Sequence, residues 1–481
     1  MSVCKESLLI VSSVAKFATV HTKDYIKKSD GVGHVEEKHY FNMVTKTKKI
    51  SLVDFPEEVD EENGVKLYGE TSYENQMAVL SHFLHNYRYE IDKEEQAEII
   101  AAIREFLSRK EARQPFDIDE MSDEQVWMVA EDPAQYGLFS DFFNVPFPAP
   151  ENPKFTFIDL FAGIGGIRIA MQNAGGNCVY SSEWNSQAQK TYLANYGEMP
   201  FGDITKESTK SYIPDNFDVL CAGFPCQPFS ISGKQKGFED TRGTLFFDIC
   251  SIISKKKPQV VFLENVKHLV HHNEGNTLKT ILLKLDELGY NVSWRVLNGS
   301  DYGVPQNRER IIIVGSLNGV FDFDKVKKKP RPHLVDFLDK DGNFEFLNLD
   351  DYTLLDNPKE QPESGLIFAG YRNKSIRKAG VRPGTEHLSR VHKQPNRIYS
   401  VYGIHPTLPS QESSGRFFVL TEDRQVRKLT INECWRIMGF PETFKKVSPL
   451  GDQYKQLGNS VCIPMIEAVA DVINNQYFSN R

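Results

Sequence analysis

The sequence predicts an open α/β fold with a mostly parallel sheet, which a smaller irregular domain interrupts and an N-terminal extension precedes. Three observations predict this architecture. Short apolar runs alternate with amphipathic helical patterns from Phe155 to about Asn318, proline-rich sequence marks a boundary at residues 145–150, and the periodicity fades across residues 320–425. Strands that alternate with helices are typical of parallel sheets, whose ligands bind at the carboxyl ends of the strands.

The chain of 481 residues is long enough for two or three domains. The elements of the α/β part are short apolar runs and amphipathic stretches between turn signals. We predict strands at 155–159, 178–182, 218–222, 259–263, 293–297 and 310–315 and helices at 166–173, 277–288, 429–438 and 463–474. We therefore expect an N-terminal extension of unknown role at residues 1–150, the α/β domain at 153–318, the smaller domain at 319–426, and a return to the α/β domain at 427–481.

The formal net charge of -8 is unevenly distributed along the chain. Residues 1–152 contain 16 Lys and Arg against 29 Asp and Glu, whereas residues 153–481 contain 41 against 36. Residues 365–430 are the most basic part, with 12 basic and 4 acidic residues. A basic stretch is usually only a solvated face, but this local excess can also contact phosphates.

Composition excludes several classes of protein. We find no apolar run of membrane-spanning length, and the first residues do not resemble a signal peptide. Seven cysteines without a repeating spacing indicate reduced thiols rather than a disulfide framework. His268, His271 and His272 cluster without a cysteine pair at ligand spacing, so we interpret them as surface histidines and expect no metal.

A glycine-rich turn at residues 157–166 follows the first strand of the α/β part. Its glycines allow the backbone to approach a ligand closely, although a purely structural turn has the same appearance. Glu183, about twenty residues later, can hold the hydroxyls of a ribose. Trp184 beside it can stack on an adenine, and Asp203 can accept a hydrogen bond from an exocyclic amine. Together they predict a nucleoside-containing cofactor.

Two further strand ends carry reactive side chains. Cys226 lies between two prolines in the loop after strand 218–222, which can present a thiolate to a cleft. Glu264 ends strand 259–263, where it either caps a helix or acts as a general acid. Arg308 and Arg310 enter a buried strand and need anionic or carbonyl partners, which a framework carboxylate can also provide.

These motifs resemble those of the bacterial cytosine-5 DNA methyltransferases, especially the HhaI type. The resemblance covers about residues 155–475 in the family's order, whereas the first 150 residues do not share it. It also includes a segment similar to the family's mobile catalytic loop and two late motifs. These three segments are residues 230–248, 427–441 and 456–461.

The resemblance implies a Rossmann-like class I fold that binds S-adenosyl-L-methionine and releases S-adenosyl-L-homocysteine. Cys226 is then the nucleophile that adds to C6 of cytosine, Glu264 the proton donor at N3, and Arg310, supported by Arg308, the group on the O2 side. The implied cofactor contacts surround the methionine, ribose and adenine portions. These residues are Phe161, Gly163, Gly165, Glu183, Trp184, Asp203, Asn459 and Val461.

The resemblance also implies that the target cytosine is flipped out of double-stranded DNA. Ser232 and Gln394 then fill the vacated space, and Thr407 lies near the phosphates. Residues 319–426 become the target-recognition domain. The expected protein is a bacterial, cytoplasmic, nucleoid-associated monomer, either solitary or paired with a cognate restriction endonuclease.

Two other functions stay open at this point. An RNA cytosine-5 methyltransferase of the same fold uses the same cofactor and cysteine motifs, although the long basic insert favours duplex DNA. A non-catalytic DNA-binding homologue is expected to have lost Cys226, Glu264 or Arg310, and all three are present. Amino-group methylation is disfavoured because its Asp/Asn-Pro-Pro-aromatic motif is missing from the sequence. The target sequence is not predicted.

Overall fold

The computed structural model describes residues 58–60, 65–67, 78, 81, 145–225, 245–373 and 384–479. Its strands are β1 (Glu58–Asp60), β2 (Val65–Leu67), β3 (Phe155–Leu160), β4 (Gly176–Ser182), β5 (Val219–Gly223), β6 (Val260–Val266), β7 (Asn291–Asn298), β8 (Gln306–Asn307), β9 (Glu309–Ser316), β10 (Tyr352–Gln361), β11 (Leu366–Arg372), β12 (Arg397–Ser400), β13 (His405–Pro406), β14 (Phe418–Leu420) and β15 (Val426–Lys428). Its helices are α1 (Gly166–Asn173), α2 (Ser186–Tyr196), α3 (Glu207–Lys210), α4 (Leu245–Lys256), α5 (Asn276–Glu287), α6 (Ile431–Ile437), α7 (Leu450–Asn459) and α8 (Ile463–Tyr477).

The chain divides into two compact units. One comprises residues 1–148 and 193–213, and the other comprises residues 149–192 and 214–481. In the first unit β1 and β2 form an antiparallel hairpin, and the main-chain N–H of Met199 donates to Oγ of Ser81 over 2.8 Å. The second unit contains both larger sheets.

The central sheet has six strands in the order β4-β3-β5-β6-β9-β7. Strands β4, β3, β5 and β6 are parallel, whereas β9 runs antiparallel to both of its neighbours. The winding direction reverses at β3, which pairs with β4 on one side and β5 on the other. In sheets of this kind the crevice at such a reversal is the expected ligand site.

All six strands and all four helices predicted for this part are present, with ends within three residues of the predicted positions. The strands of a sheet that is covered on both faces are apolar along their whole length. In β6 every side chain from Val260 to Asn265 is buried. On one face α8 packs against α1, and the rings of Phe155 and Phe478 stack 5.0 Å apart. The C-terminal helix therefore lies beside the helix that follows the glycine-rich turn.

The second sheet has five strands in the order β10-β11-β12-β14-β15. One of its faces buries Ala369 and Ile398, and the other buries Phe368 and Tyr399. This segment is more regular than its composition indicates. Turn-forming residues interrupt the apolar alternation of its strands, so the sequence pattern did not predict them. A short parallel bridge between β13 and β8 joins the segment after the second sheet's β12 to the entrance of β9.

Candidate active site

The glycine-rich turn leaves β3 in an unusual backbone conformation. Phe161 has a φ of 55°, which is uncommon outside glycine, and Gly163 and Gly165 have φ of 57° and 84°. A Cβ on Gly163 has no heavy atom within 4 Å, so the turn borders open space. Strained non-glycine backbone at the end of a central strand is a feature of functional sites.

Glu183 at the end of β4 is tied directly to this turn. Its carboxylate accepts hydrogen bonds from the main-chain N–H groups of Gly163 and Asn185, each at 2.8 Å. Burial raises the pKa of Glu183, and these hydrogen bonds oppose the rise. The next residue, Trp184, is 80% exposed, so a large aromatic face stands beside the buried carboxylate.

The segment after α7 closes against the same turn. A Cβ on Gly166 has Oγ of Ser460 at 2.8 Å and Cγ2 of Val461 at 2.9 Å, so only glycine fits there without a shift. Val461 is buried, whereas Asn459 is exposed at the end of α7. The structure thus brings residues 459–461 to the turn although almost 300 residues separate them in sequence.

Asp203 belongs to the compact unit of residues 1–148 and 193–213. Its Oδ1 accepts hydrogen bonds from the main-chain N–H and the hydroxyl of Thr205, at 3.0 and 2.8 Å. The carboxylate is therefore oriented by its own loop.

Glu264 and Arg310 form a buried ion pair at the carboxyl end of β6. Nε of Arg310 lies 3.0 Å from Oε1 of Glu264, and the two side chains are only 11% and 10% exposed. Burial raises the pKa of Glu264, while the charges of Arg310 and Arg308 lower it. Gly223, the last residue of β5, pairs with Glu264 in register and leaves room in front of its carboxylate.

Cys226 and Ser232 lie outside the described residues. The described chain stops at Pro225, immediately after β5. Nδ2 of Asn265 donates to the carbonyl of Phe224 over 2.8 Å, which fixes the start of this loop beside Glu264. The five described cysteines are all buried, as expected for small core residues.

Arg308 is completely buried, unlike Arg310. Its guanidinium donates to main-chain carbonyls of Gly458, Ser460 and Leu408, and its Nε has no hydrogen-bond partner among the described residues. Burial lowers the pKa of Arg308 to about 9, so it stays protonated at neutral pH. Carbonyl partners, one of the two options that the sequence left open, account for its burial.

Gln394 and Thr407 lie in the part of the chain around the second sheet. Gln394 is exposed in a single helical turn directly before β12. The hydroxyl of Thr407 donates to the carbonyl of Asn307 over 2.7 Å, which holds Thr407 at the entrance of β9. The structure thus brings Thr407, but not Gln394, to the strand that carries Arg310.

Asp159 is a candidate site residue that the sequence motifs did not include. It is fully buried in β3, and neither carboxylate oxygen has a hydrogen-bond partner in the described part of the chain. Burial raises its pKa to about 7, against the opposing effect of Arg168. An acidic residue inside the apolar run of residues 155–160 was the available signal, because a carboxylate without a partner is costly in a core.

A family profile described as C-5 cytosine-specific DNA methylase matches residues 155–475. The chain belongs to this family. It is a DNA cytosine-5 methyltransferase, and the α/β fold that the sequence predicts is the fold of these enzymes. None of the helices that the structure describes is long and apolar enough to cross a membrane, and no group of three potential metal ligands occurs among the described residues.

Known proteins similar to this methyltransferase include modification enzymes. Type II methyltransferase M.HpaII of Haemophilus parainfluenzae is 44% identical over 360 residues, which are 72% of this chain and 95% of that protein. Type II methyltransferase M.HhaI of Haemophilus parahaemolyticus is 44% identical over 65% of this chain and 92% of its own length. Among solved structures, the Dnmt2 methyltransferase of S. pombe has a TM-score of 0.48 at 17% identity and covers 67% of this chain and 98% of its own.

Proposed function

We propose that this methyltransferase modifies cytosine in a short duplex sequence with S-adenosyl-L-methionine as donor and Cys226 as nucleophile. The observation that carries the proposal is the buried pair of Glu264 and Arg310 beside Gly223, three residues before Cys226. Glu264 would then be a proton donor, and Arg310 a fixed positive charge, beside the start of the loop that contains the thiol.

The residues around the β3 turn suit the proposed cofactor. Trp184 offers a stacking surface for adenine, and Glu183 offers a carboxylate for the ribose hydroxyls. Asp159 offers a buried, unpartnered carboxylate for the ammonium group of the methionine portion. Bound there, S-adenosyl-L-methionine would supply a methyl group on a positively charged sulfur and would leave as S-adenosyl-L-homocysteine.

Further contacts to the cofactor follow from the resemblance. We assign Phe161, Gly163 and Gly165 to the methionine portion, and we assign Asn459 and Val461 to contacts from the segment after α7; Val461 packs against Gly166. Asp203 is proposed for the exocyclic amine of the adenine.

The chain's own residues then activate the base. The thiolate of Cys226 forms a bond to C6, and Glu264 gives a proton to N3 so that the charge pushed into the ring is neutralised. Its raised pKa suits a carboxyl group that has to hold a proton before the reaction. Arg310 holds the O2 side. After methyl transfer, a solvent base takes the C5 proton and N3 returns its proton to Glu264, so that Cys226 leaves as a thiolate and the aromatic ring is restored.

The target base has to leave the helix before this chemistry, since C6 is not accessible in a stacked duplex. We assign this step to Ser232 and Gln394, which fill the vacated space, and to Thr407 at the phosphates. We assign target recognition to residues 319–426 and catalysis to residues 153–318 together with 427–481. The net positive charge of residues 365–430 favours this assignment.

A cognate restriction endonuclease is the genetic partner that the Type II relatives suggest. The proposed cellular role is protection of host DNA in the bacterial cytoplasm by a monomeric enzyme bound to the nucleoid. No role is assigned to residues 1–150, whose net negative charge argues against broad phosphate contact.

The test is transfer of labelled methyl groups to unmethylated duplex DNA by wild type, Cys226→Ser and Cys250→Ser. Cys250 is a buried cysteine of α4 and provides the matched control. We expect label on cytosine C5 after nuclease digestion with wild type and Cys250→Ser, and none with Cys226→Ser. Methyl transfer by Cys226→Ser excludes Cys226 as the nucleophile. Label on structured RNA instead of DNA excludes duplex DNA as the substrate.

A further inference from the structure

The guanidinium of Arg308 connects two segments that lie 100 and 150 positions after it in the sequence. One nitrogen, Nη2, donates to the carbonyl of Gly458 over 2.8 Å and also to that of Ser460. The other, Nη1, lies 3.5 Å from the carbonyl of Leu408. Arg308 has no exposed surface, and these carbonyls occupy both terminal nitrogens of its guanidinium.

The first segment, residues 458–460, borders the proposed cofactor turn. Ser460 and Val461 pack against Gly166, the first residue of α1, at distances that admit no side chain there. Asn459, a proposed cofactor contact, is located between the two carbonyls that Arg308 binds. Any movement of this segment on cofactor binding therefore displaces partners of Arg308.

The second segment, residues 407–410, borders the proposed DNA contact. Thr407 donates to the carbonyl of Asn307, and the main-chain N–H of Leu408 donates to Oε1 of Gln306 over 3.2 Å. Both acceptors are in β8, directly before Arg308. A displacement of Thr407 therefore reaches Arg308 through these two hydrogen bonds and the short stretch of main chain between β8 and Arg308.

The two segments also touch each other. A Cβ on Gly458 lies 2.4 Å from the main-chain N and Cα of Ser410, so glycine is required for this approach. Arg308 is the charged group that holds both sides of the contact. Its five donors in one plane can bind carbonyls from separate segments, whereas lysine has a single donor atom.

We propose that Arg308 is a positioning residue that couples cofactor binding to DNA binding, by holding residues 458–460 and 407–410 in one arrangement. The proposal rests on the proposed function, which places the cofactor and the phosphates at these segments. Ordering of one segment by its ligand removes part of the cost of ordering the other, and such coupling is reciprocal.

The experiment compares the affinity for S-adenosyl-L-homocysteine without DNA and with saturating plasmid DNA free of cytosine methylation, by equilibrium dialysis. We expect wild type to bind at least about fivefold more tightly with DNA. Arg308→Lys is expected to bring this ratio to within about twofold of one. Arg295→Lys, the same change at an exposed ion pair of β7, is expected to keep the wild-type ratio.

A general loss of stability cannot produce this result, because the ratio compares two affinities of one variant. Gly458→Ala is a second variant, in which the added methyl group pushes residues 458–460 away from residues 407–410 while Arg308 is intact. If Arg308→Lys does not fold, the ratio of Gly458→Ala decides whether the two segments are coupled. A wild-type ratio of one, or an unchanged ratio in these variants, overturns the coupling. Failure of the proposed function has a separate signature, which is the absence of methyl transfer to the same plasmid by wild type.

Discussion

Nε of Arg310 lies 3.0 Å from Oε1 of Glu264, and this contact joins the carboxyl end of β6 to the start of β9. The two strands are antiparallel, so the end of β6 lies beside the start of β9, where Val266 pairs with Arg310 and Glu264 with Ile312. The pair places a fixed cation beside a carboxyl group whose pKa burial raises. Without the charge of Arg310, burial and the weaker effect of Arg308 set the pKa of Glu264.

Arg310→Met is therefore expected to lower kcat by about 10²- to 10³-fold, as for other groups that stabilise developing charge. Because Arg310 lowers the pKa of Glu264, its removal should move the high-pH limb of the rate profile to higher pH. Steady-state rates between pH 6 and 9 measure both effects. Arg295→Met is the control, and a profile with an unmoved limb contradicts the role of the pair.

Asp159→Asn is expected to weaken binding of S-adenosyl-L-homocysteine and to remove its pH dependence. The pKa of Asp159 is about 7, so the carboxyl group takes up a proton as the pH falls through 7 and loses its attraction for an ammonium group. Wild type should thus bind more tightly at pH 8 than at pH 6, as calorimetry can measure. Asp324→Asn changes an exposed aspartate as a control. Equal pH dependence in wild type and Asp159→Asn refutes the assignment.

Asp159 also affects the free energy of unfolding, and this effect has the opposite pH dependence to its effect on ligand affinity. Since its pKa is raised above 3.8 in the folded protein, the folded state binds more protons than the unfolded state between about pH 4 and pH 7. The Asp159 contribution to the free energy of unfolding should therefore fall as pH rises through this window. Urea unfolding at several pH values should show a smaller decline for Asp159→Asn than for wild type.

Trp184→Ala is expected to raise the dissociation constant of S-adenosyl-L-homocysteine by about 5- to 150-fold, equivalent to the ~1–3 kcal/mol of a base stacked on an aromatic ring. The 80% exposure of the indole suggests little cost to folding. Trp294→Ala, at a tryptophan of β7 that is 40% exposed, should leave the affinity unchanged. Equal affinities for the two variants count against adenine stacking.

Arg427→Met is expected to destabilise the second unit by about 3–5 kcal/mol, because it leaves the carboxylate of Glu433 buried without its cation. The two side chains are 4% and 0% exposed and form two hydrogen bonds, at 2.7 and 2.9 Å. Arg295→Met breaks a pair that is 46% and 84% exposed and should cost less than about 1 kcal/mol. Urea unfolding distinguishes the two, and a small loss for both variants contradicts the prediction.

Local pattern determined much of this fold. The apolar runs of β3, β5 and β6 predicted a buried parallel sheet because such strands are covered on both faces, and the turn at residues 157–166 was recognisable from its glycines. The longer strands of the second sheet were missed, because turn-forming residues obscure their alternation. Membership of the methyltransferase family was likewise visible in the order of the motifs.

Side-chain partners distant in sequence were decided by the tertiary structure alone. The sequence showed that Arg308 needs partners, but only the fold brings the carbonyls of residues 408, 458 and 460 to it from 100 to 152 positions away. In the same way, the sequence of β3 shows an aspartate in an apolar run. Only packing leaves its carboxylate without a hydrogen-bond partner among the residues that the structure describes. Periodicity reports which face of an element is buried. The partners of that face come from chain segments distant in sequence, which a local pattern does not identify.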